Sequence, residues 1–301
     1  MNNAINICLA TDDNYYKYAG VVITSILVNA HINDKLKIYI LDGGITEEHK
    51  KELESLKKFK EFNLNFVKIN SKLFDDYKNI KTQKHISIAT YYRLKMSELI
   101  PDINKIIYLD CDMVVNSSLR ELFNTDLDSF YFAGVKDIDK KKTKENPSYV
   151  NAGMLLMNLD LIKKDSIVKE FLAWTKENTD KITLGDQTII NEVCKNRIKL
   201  LDNTWNLQSA SFINRSDFIK EPKIIHFCGA DKPWTIGCQS YHRKYYFKYL
   251  QESPWIIKNN YLLKWRFFNE IVSLYKFIKH RPLFFLQKKY WNAVIKTINS
   301  Y

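Results

Sequence analysis

Short apolar runs alternate with segments of helical periodicity along the first 200 residues, and this alternation limits the folds open to the chain. Runs with the composition of buried strands lie at 5–10, 37–42, 65–70, 105–115, 131–135 and 152–158. Helical segments lie at 19–30, after Thr46, at 86–100, after Ser118, and at 166–178 and 186–196. Strands that alternate with helices predict an α/β fold with a largely parallel sheet.

Two aspartates interrupt the apolar run "KIIYLDCDMVV" at 105–115. Aspartate disfavours strands and is rarely buried without a partner. Because side chains alternate along a strand, Asp110 and Asp112 are expected on one face, with Cys111 turned to the other. Two such carboxylates can share a divalent cation, and open α/β sheets bind ligands at the carboxyl ends of strands. The spacing alone leaves a second interpretation open, a strand end with two solvated aspartates.

The segment "KIIHFCGADKPW" at 223–234 is a predicted strand that runs into a glycine-containing loop. His226 closes the apolar run, and a single histidine in this setting is more often structural than a ligand. Lys232, which follows Gly229, can reach a phosphate as a point charge. Taken by itself, this segment indicates a phosphate site only weakly.

Four further polar residues accompany the predicted elements. Asp186 and Gln187 stand at the start of a helix, where aspartate is a common N-cap. Asp137 and Asn151 lie beside strands, where polar loop residues are common. The sequence has no G-x-G-x-x-G, P-loop, H-E-x-x-H or G-x-S-x-G pattern, so none of the activities linked to these motifs is indicated.

Cysteine and glycine usage narrows the class of protein. The five cysteines are scattered without a C-x-x-C pair, which predicts reduced thiols in a cytosolic protein. Only 8 Gly and 6 Pro argue against long flexible linkers. The N-terminal residues lack the basic region of a signal peptide, and no run of about 18 apolar residues occurs. Neither a signal peptide nor a transmembrane helix is therefore expected.

The composition changes near residue 250. Residues 255–301 contain nine Lys or Arg and one acid, a net +8 of the chain's +12, together with many aromatic residues. We divide the chain into a domain at 1–250 and a helical tail at 251–301, with a basic, aromatic amphipathic helix at 261–281. Such a tail fits an anionic membrane surface. The alternatives are a helix packed on the domain and, without a recognition motif to support it, nucleic-acid binding.

Seven segments, taken in order, resemble glycosyltransferase family 8. They are "LATDDNYYKYAGVVITSI", "LDGGIT", "HISIATYYRLKM", "YLDCDMVV", "NAGMLLMNL", "GDQTIIN" and "HFCGADKPW". Within the family the likeness is to bacterial lipopolysaccharide α-galactosyltransferases and, more distantly, to glycogenin. The resemblance implies a GT-A fold, a Rossmann-like mixed sheet flanked by helices, and retaining sugar transfer from a UDP-sugar.

The resemblance also implies roles for individual residues. Mn²⁺, with Mg²⁺ as the alternative ion, would be held by Asp110, Asp112 and His226. The positions that match nucleotide-binding segments are Ala10, Asp12, Asn14, Tyr15, His85, Arg93, Asp110, Cys111, Asp112, Gly229 and Lys232. The positions that match the donor sugar and the reaction centre are Asp137, Asn151, Asp186 and Gln187. Because an amide is a poor nucleophile, attack by the acceptor from the leaving-group face is favoured over a covalent intermediate on Gln187.

The expected activity is the transfer of galactose or glucose to a hydroxyl of a cell-surface glycan or a lipid-linked acceptor. The alternatives are extension of a glycan on a bacterial surface protein and UDP-sugar binding without transfer. The expected location is cytoplasmic, on the inner face of the cytoplasmic membrane, with no nucleic-acid partner. The basic segment "IDKKKTKENPSYV" at 138–150 departs from the family pattern, which leaves the acceptor open.

Overall fold

The computed structural model describes residues 4–78, 80, 88–209, 221–229, 232–235, 238, 240 and 242–255. Within them the strands are β1 (Ile5–Thr11), β2 (Leu36–Asp42), β3 (Asn63–Lys68), β4 (Lys105–Leu109), β5 (Met113–Val115), β6 (Phe132–Lys136), β7 (Val150–Asn158), β8 (Ile198–Leu200), β9 (Leu207–Gln208) and β10 (Ile224–His226). The α-helices are α1 (Tyr16–Asn29), α2 (Glu47–Glu54), α3 (Met96–Leu99), α4 (Arg120–Phe123), α5 (Lys140–Glu145), α6 (Leu159–Lys164), α7 (Ile167–Glu177), α8 (Asp186–Val193) and α9 (Arg243–Glu252). Short 3₁₀ helices lie at Ser55–Lys58, Ser71–Tyr77, Ile88–Lys95, Thr179–Lys181 and Asn203–Asn206.

A seven-stranded mixed sheet forms the centre of the molecule, in the order β3-β2-β1-β4-β7-β6-β8. Strands β1 to β4 run parallel, whereas β7 is antiparallel to both of its neighbours, β4 and β6. Strand β8 is parallel to β6. The predicted α/β architecture, a mixed sheet flanked by helices, is confirmed.

The sheet has a hydrophobic core on each face. Along β1, Ile7 and Leu9 belong to the core on the α1 side, and Cys8 belongs to the core on the opposite side. This alternation is the period-two pattern of a strand that is covered on both faces. Burial of each large apolar side chain stabilises the fold by about 1.5–3 kcal/mol, so the sheet is a rigid platform for what lies at its edge.

A second, three-stranded sheet in the order β5-β10-β9 stands beside the first. Strand β10 pairs antiparallel with β5, which sets His226 opposite Met113. The amide of Phe227 donates to the carbonyl of Asp112 over 2.9 Å. This pairing brings a segment from late in the chain against the interrupted apolar run.

The predicted continuous strand at 105–115 is wrong. Strand β4 ends at Leu109, residues 110–112 form a turn, and β5 starts at Met113. The amide of Asp110 still donates to the carbonyl of Gly153 on β7, after which the chain leaves the seven-stranded sheet and enters the three-stranded one. The common orientation of Asp110 and Asp112 therefore comes from the turn and not from strand alternation.

The predicted helix at 86–100 differs as well. The chain forms a 3₁₀ helix over Ile88–Lys95 and only the short α3 after it. This stretch is rich in β-branched and aromatic residues, which are weaker helix formers than alanine or leucine. Arg93 Nε also donates a hydrogen bond to the carbonyl of Thr90, over 3.0 Å. Residues 86 and 87 lie outside the described part of the chain.

Neither the capping box expected at Ser118 and Glu121 nor the N-cap expected at Asp186 forms as predicted. Ser118 accepts from the amide of Arg120 over 3.1 Å, but Glu121 pairs with Lys223 at 2.7 Å instead of closing a capping box. Asp186 is the first residue of α8, and the N-cap is Gly185. Both carboxylates are thus free of a capping role.

The segment at 138–150 contains α5, which sequence analysis did not anticipate. The Asp139 carboxylate caps this helix and accepts from the amides of Lys141 and Lys142. The predicted helix at 261–281 lies outside the described residues, so the division of the chain near 250 stays a prediction. Across the ranges that the structure describes, no helix is long and apolar enough to cross a bilayer.

Candidate active site

Asp110, Asp112 and His226 converge where the two sheets meet. Each offers a ligand atom within 4.8 Å of the others. His226 Nε2 lies 3.3 Å from Asp112 Oδ1 and 4.0 Å from Asp110 Oδ2. Two carboxylates and an imidazole form a donor set that suits a divalent metal ion, and the imidazole favours manganese over magnesium.

Two features beyond the donor set fit a cation at this place. Asp112 Oδ1 is buried 3.3 Å from His226 Nε2 without an aligned hydrogen bond to it. Buried polar atoms without aligned hydrogen bonds are rare, and a bound ion is one standard reason for them. Gly153 adds space, because a Cβ atom built on it would fall 2.3 Å from His226 Cε1 and 2.9 Å from Asp110 Oδ2. The residues present therefore fit a bound metal.

Lys232 supplies positive charge on the other side of Asp112. Its ammonium forms an ion pair with Asp112 Oδ2 and donates to the carbonyl of Phe227 over 3.0 Å. Burial opposes ionisation of Asp112, but Lys232 and His226 outweigh it and hold the pKa of Asp112 well below its usual range. The carboxylate is thus ionised at any physiological pH and ready to bind a cation.

Arg93 connects Asp110, one of the candidate metal ligands, to the start of α8. It is 3% exposed, lies 2.7 Å from Asp110 Oδ1 and 2.9 Å from Asp186 Oδ2, and donates to the carbonyl of Ala152. Burial raises the pKa of Asp186 to about 6, although the charge of Arg93 opposes this shift. The guanidinium fork can hold two carboxylates at once, which a lysine ammonium does less well.

Gln187, Asn151 and Asp137 form a hydrogen-bonded group beside this bridge. Gln187 Nε2 donates to Asp137 Oδ2 over 3.0 Å, and Asn151 Nδ2 donates to the same oxygen over 3.2 Å. Gln187 Oε1 accepts from the amide of Ala152 over 3.1 Å and from Asn151 Nδ2 over 3.3 Å. The amide group of Gln187 is therefore fixed at both ends.

Several residues that hydrogen-bond to the candidate site residues were not predicted from the sequence. Asn206 donates to Asn151 Oδ1 over 3.1 Å, and Thr90 donates to Asp186 Oδ1 over 2.9 Å. Asn191 donates to the carbonyl of Gln187, four residues earlier on α8. Its position, one turn after Gln187 on a predicted helix, was a usable signal. No sequence pattern indicated a role for Asn206 or Thr90, because their hydrogen-bond partners are distant in the chain.

Residues 12–15 form a turn after β1, which we call the nucleotide turn after the role that the family resemblance predicts for it. Asp12 Oδ1 accepts from the amides of Asn14 and Tyr15, each over 3.0 Å. Tyr15 is 43% exposed, and its hydroxyl is close enough to Lys232 and Asp112 for their charges to act on it. The turn therefore lies beside the metal ligands with an aromatic ring open to solvent.

The remaining predicted site residues take varied positions. Cys111 Sγ donates to the carbonyl of Ala10 over 3.2 Å, which ties the turn at 110–112 to the end of β1. Gly229 has φ of +79°, a left-handed conformation that favours glycine, and open space where a side chain would be. His85 lies outside the described residues.

Comparison with known proteins places this geometry in a family. The model for glycosyl transferase family 8 matches residues 6–237. A putative glycosyltransferase of Haemophilus influenzae is 33% identical over 251 residues, 79% of this chain and 75% of that protein. A lipopolysaccharide 1,2-glucosyltransferase of Escherichia coli is 25% identical over 274 residues, 84% of this chain and 80% of that protein.

Solved structures agree with these relatives. The galactosyltransferase LgtC, in complex with donor and acceptor sugar analogs, has a TM-score of 0.72 and is 27% identical. The likeness covers 83% of this chain and 96% of that one. The GT-A fold and the family resemblance predicted from the sequence are confirmed.

Proposed function

The chain belongs to glycosyl transferase family 8, and on that premise we propose that it transfers a hexose from a UDP-sugar to an acceptor hydroxyl with retention at the anomeric carbon. The observation that carries the proposal is the convergence of Asp110, Asp112 and His226 within 4.8 Å, beside Lys232. The proposed donor is UDP-galactose or UDP-glucose. The proposed acceptor is a cell-surface glycan or a lipid-linked glycan.

Asp110, Asp112 and His226 would hold Mn²⁺, with Mg²⁺ as the alternative ion. A divalent ion there supplies positive charge to the diphosphate of the donor. Support comes from the donor set itself and from Asp112 Oδ1, which is buried without an aligned hydrogen bond.

Lys232 and Gly229 are proposed to bind the departing diphosphate. The ammonium of Lys232 would stabilise the negative charge that develops on the leaving phosphate. The open space at Gly229 leaves its backbone accessible to a phosphate group. The nucleotide turn, together with Ala10 and Cys111, is proposed to hold the uridine.

Gln187, Asp186, Asp137 and Asn151 are proposed to bind the donor sugar at the reaction centre. Both ends of the Gln187 amide are already hydrogen-bonded, and the Asp186 carboxylate is paired with Arg93 and Thr90. These contacts favour an orienting role over a nucleophilic one. The acceptor hydroxyl would then attack from the side of the leaving phosphate, which takes its proton. A trapped glycosyl-enzyme on Gln187 or Asp186 would overturn this route.

The location is proposed from the composition of the tail. Nine basic residues and many aromatic ones at 255–301 support attachment to anionic lipid, at the inner face of the cytoplasmic membrane. Sedimentation with vesicles that contain anionic lipid tests this point. A full-length chain that stays in the supernatant contradicts it.

The test of the activity is UDP release from UDP-galactose and UDP-glucose, with Mn²⁺ or with EDTA. Release from one donor that requires the metal, and is lost in Asp110→Ala/Asp112→Ala, is the expected result. Asp75→Ala/Asp76→Ala, at two exposed aspartates, is the matched control and should keep activity. Failure of UDP to bind with Mn²⁺ present overturns the proposal. UDP binding without transfer to glycan, lipid-linked or protein acceptors would favour a UDP-sugar-binding protein.

A further inference from the structure

The indole of Trp255 is buried against α1. The residue is 4% exposed, and a Cβ atom built on Gly20 would fall 2.0 Å from the ring. Because protein interiors have no spare volume, a larger residue at position 20 would displace the indole. The last described residue of the chain is therefore fitted into a notch in the helix that follows the nucleotide turn.

Glu52 joins Trp255 to the first residue of α1. Trp255 Nε1 donates to Glu52 Oε2 over 2.9 Å, and the hydroxyl of Tyr16 donates to the same oxygen over 3.2 Å. Burial and the charge of Glu52 raise the pKa of Tyr16 to about 12, so the hydroxyl keeps the proton that it donates. One carboxylate oxygen thus connects the start of the C-terminal segment to the start of α1.

Tyr16 in turn contacts a histidine that binds the nucleotide turn. The rings of Tyr16 and His49 stack with centroids 3.7 Å apart and an interplanar angle of 13°. His49 Nδ1 lies 2.7 Å from Asp13 Oδ1, which also accepts from the amide of Thr46 over 2.8 Å. The bonds from Thr46 and His49 lower the pKa of Asp13, so its carboxylate is ionised and accepts both.

These contacts form one continuous path, which we call the Trp255 connection. Its members, in order, are Trp255, Glu52, Tyr16, His49 and Asp13. Glu52 and His49 lie three residues apart on α2 and so occupy neighbouring places on one face of that helix. The path therefore uses a single short helix to link two segments that are 242 positions apart in the chain.

We propose that His49 and Trp255 are positioning residues for the nucleotide, and that the Trp255 connection holds the nucleotide turn in the geometry that binds UDP. The inference rests on the proposed function, since it concerns the same nucleotide site. Asp13 lies between Asp12 and Asn14, both assigned to the uridine. A residue that only positions this turn changes donor binding, so the KM for the UDP-sugar should rise while kcat stays nearly constant.

Calorimetric titration of the full-length chain with UDP, in the presence of Mn²⁺, tests the inference. The variants are His49→Ala and Trp255→Phe, since phenylalanine keeps an aromatic ring but lacks the N–H group and the outer ring atoms that meet Gly20. Each should raise the Kd for UDP about fivefold to tenfold, the effect expected for loss of one ordinary hydrogen bond. His31→Ala, at an exposed histidine, and Trp174→Phe, on α7, are the matched controls and should leave the Kd unchanged.

The double variant His49→Ala/Trp255→Phe tests whether the two substitutions interrupt one continuous path or act on UDP binding independently. Along a continuous path, the combined rise in Kd is smaller than the product of the two single rises. Glu52→Ala breaks the same path at a half-buried position, and it provides the test if Trp255→Phe does not fold.

Two results overturn the inference alone. The first is that UDP binding and the donor KM are unchanged in His49→Ala and Glu52→Ala. The second is that the rise in Kd of the double variant equals the product of the rises in the two single variants. Absence of UDP binding by the unaltered chain overturns the proposed function and the inference together. UDP binding by the unaltered protein therefore distinguishes failure of the inference from failure of the proposed function.

Discussion

Gly153 lies so close to His226 that a Cβ atom at position 153 would fall 2.3 Å from the imidazole Cε1. The backbone of β7 therefore forms one wall of the candidate metal site. The Gly153 carbonyl also accepts from the amide of Asp110 over 2.8 Å. A glycine is required here by space and not by backbone angle, because both ligands approach the main chain directly.

Gly153→Ala should weaken UDP binding in the presence of Mn²⁺ at least about tenfold, because the added methyl group displaces His226 or Asp110. Calorimetric titration with UDP measures this. Gly134→Ala, in β6, is the matched control, because its Cβ would meet only Val150 and Leu155, at 3.1–3.3 Å. That variant should lose about 1–3 kcal/mol of unfolding free energy and keep its UDP affinity. Equal affinities in the two variants would contradict the assignment of the metal site.

Arg93→Met should lower the free energy of unfolding by about 3–5 kcal/mol, because Asp110 and Asp186 would lose their shared buried partner. Urea denaturation followed by circular dichroism measures the change. Lys176→Met removes the exposed ion pair with Asp76 at 3.2 Å and should cost at most about 1 kcal/mol. Similar losses in both variants would show that the Arg93 bridge does not stabilise the fold.

Asp186 should make the stability of the protein depend on pH. Its pKa is about 6 in the folded protein and about 3.9 in an unfolded chain, so the folded state binds the proton more tightly. The resulting stabilisation is fully present below pH 3.9 and is lost as the pH rises through 6. The difference in unfolding free energy between the unaltered chain and Asp186→Asn should fall by about 3 kcal/mol across that window.

Denaturant titrations of the two proteins between pH 3.5 and pH 7.5 test this dependence. Other titrating groups are common to both chains and cancel in the difference. A difference that does not vary with pH would contradict the raised pKa of Asp186.

Cys228 should be the thiol that reacts first in the native protein. It is half-exposed, whereas Cys8, Cys111, Cys194 and Cys238 are buried. A chromogenic disulfide reagent should therefore titrate one fast thiol without denaturant and all five with it. Because Cys228 lies beside the proposed diphosphate loop, Mn²⁺ with UDP should slow the fast reaction. A rate that UDP does not change would argue against that loop as the phosphate site.

Sequence patterns predicted most of the central sheet because its strands are strongly apolar. Strand β1 and helix α1 lie within a few residues of their predicted bounds, since most of their side chains are buried. The stretch at 88–95 departs from its predicted form because its side chains bind partners across the site, which outweighs local helix preference.

The site was predictable only in part. The Asp-x-Asp spacing alone left open both a cation site and two solvated aspartates, and the predicted role of His226 came from the family resemblance. The pairing of β10 with β5 depends on contacts more than 100 residues apart, which no local pattern encodes. The need for a glycine at position 153 could not be predicted from the sequence either, because it depends on His226 and Asp110 packing against it in the folded chain.

That pairing also has a consequence for biosynthesis. Asp110 and Asp112 leave the ribosome well over 100 residues before His226 does, and β5 has no β10 to pair with until then. Closing so long a loop is slow compared with forming local helices. A nascent chain that ends before β10 would carry two like charges without the imidazole or the Lys232 ammonium. Affinity for the proposed Mn²⁺ should therefore arise late in synthesis, once nearly the whole domain has emerged.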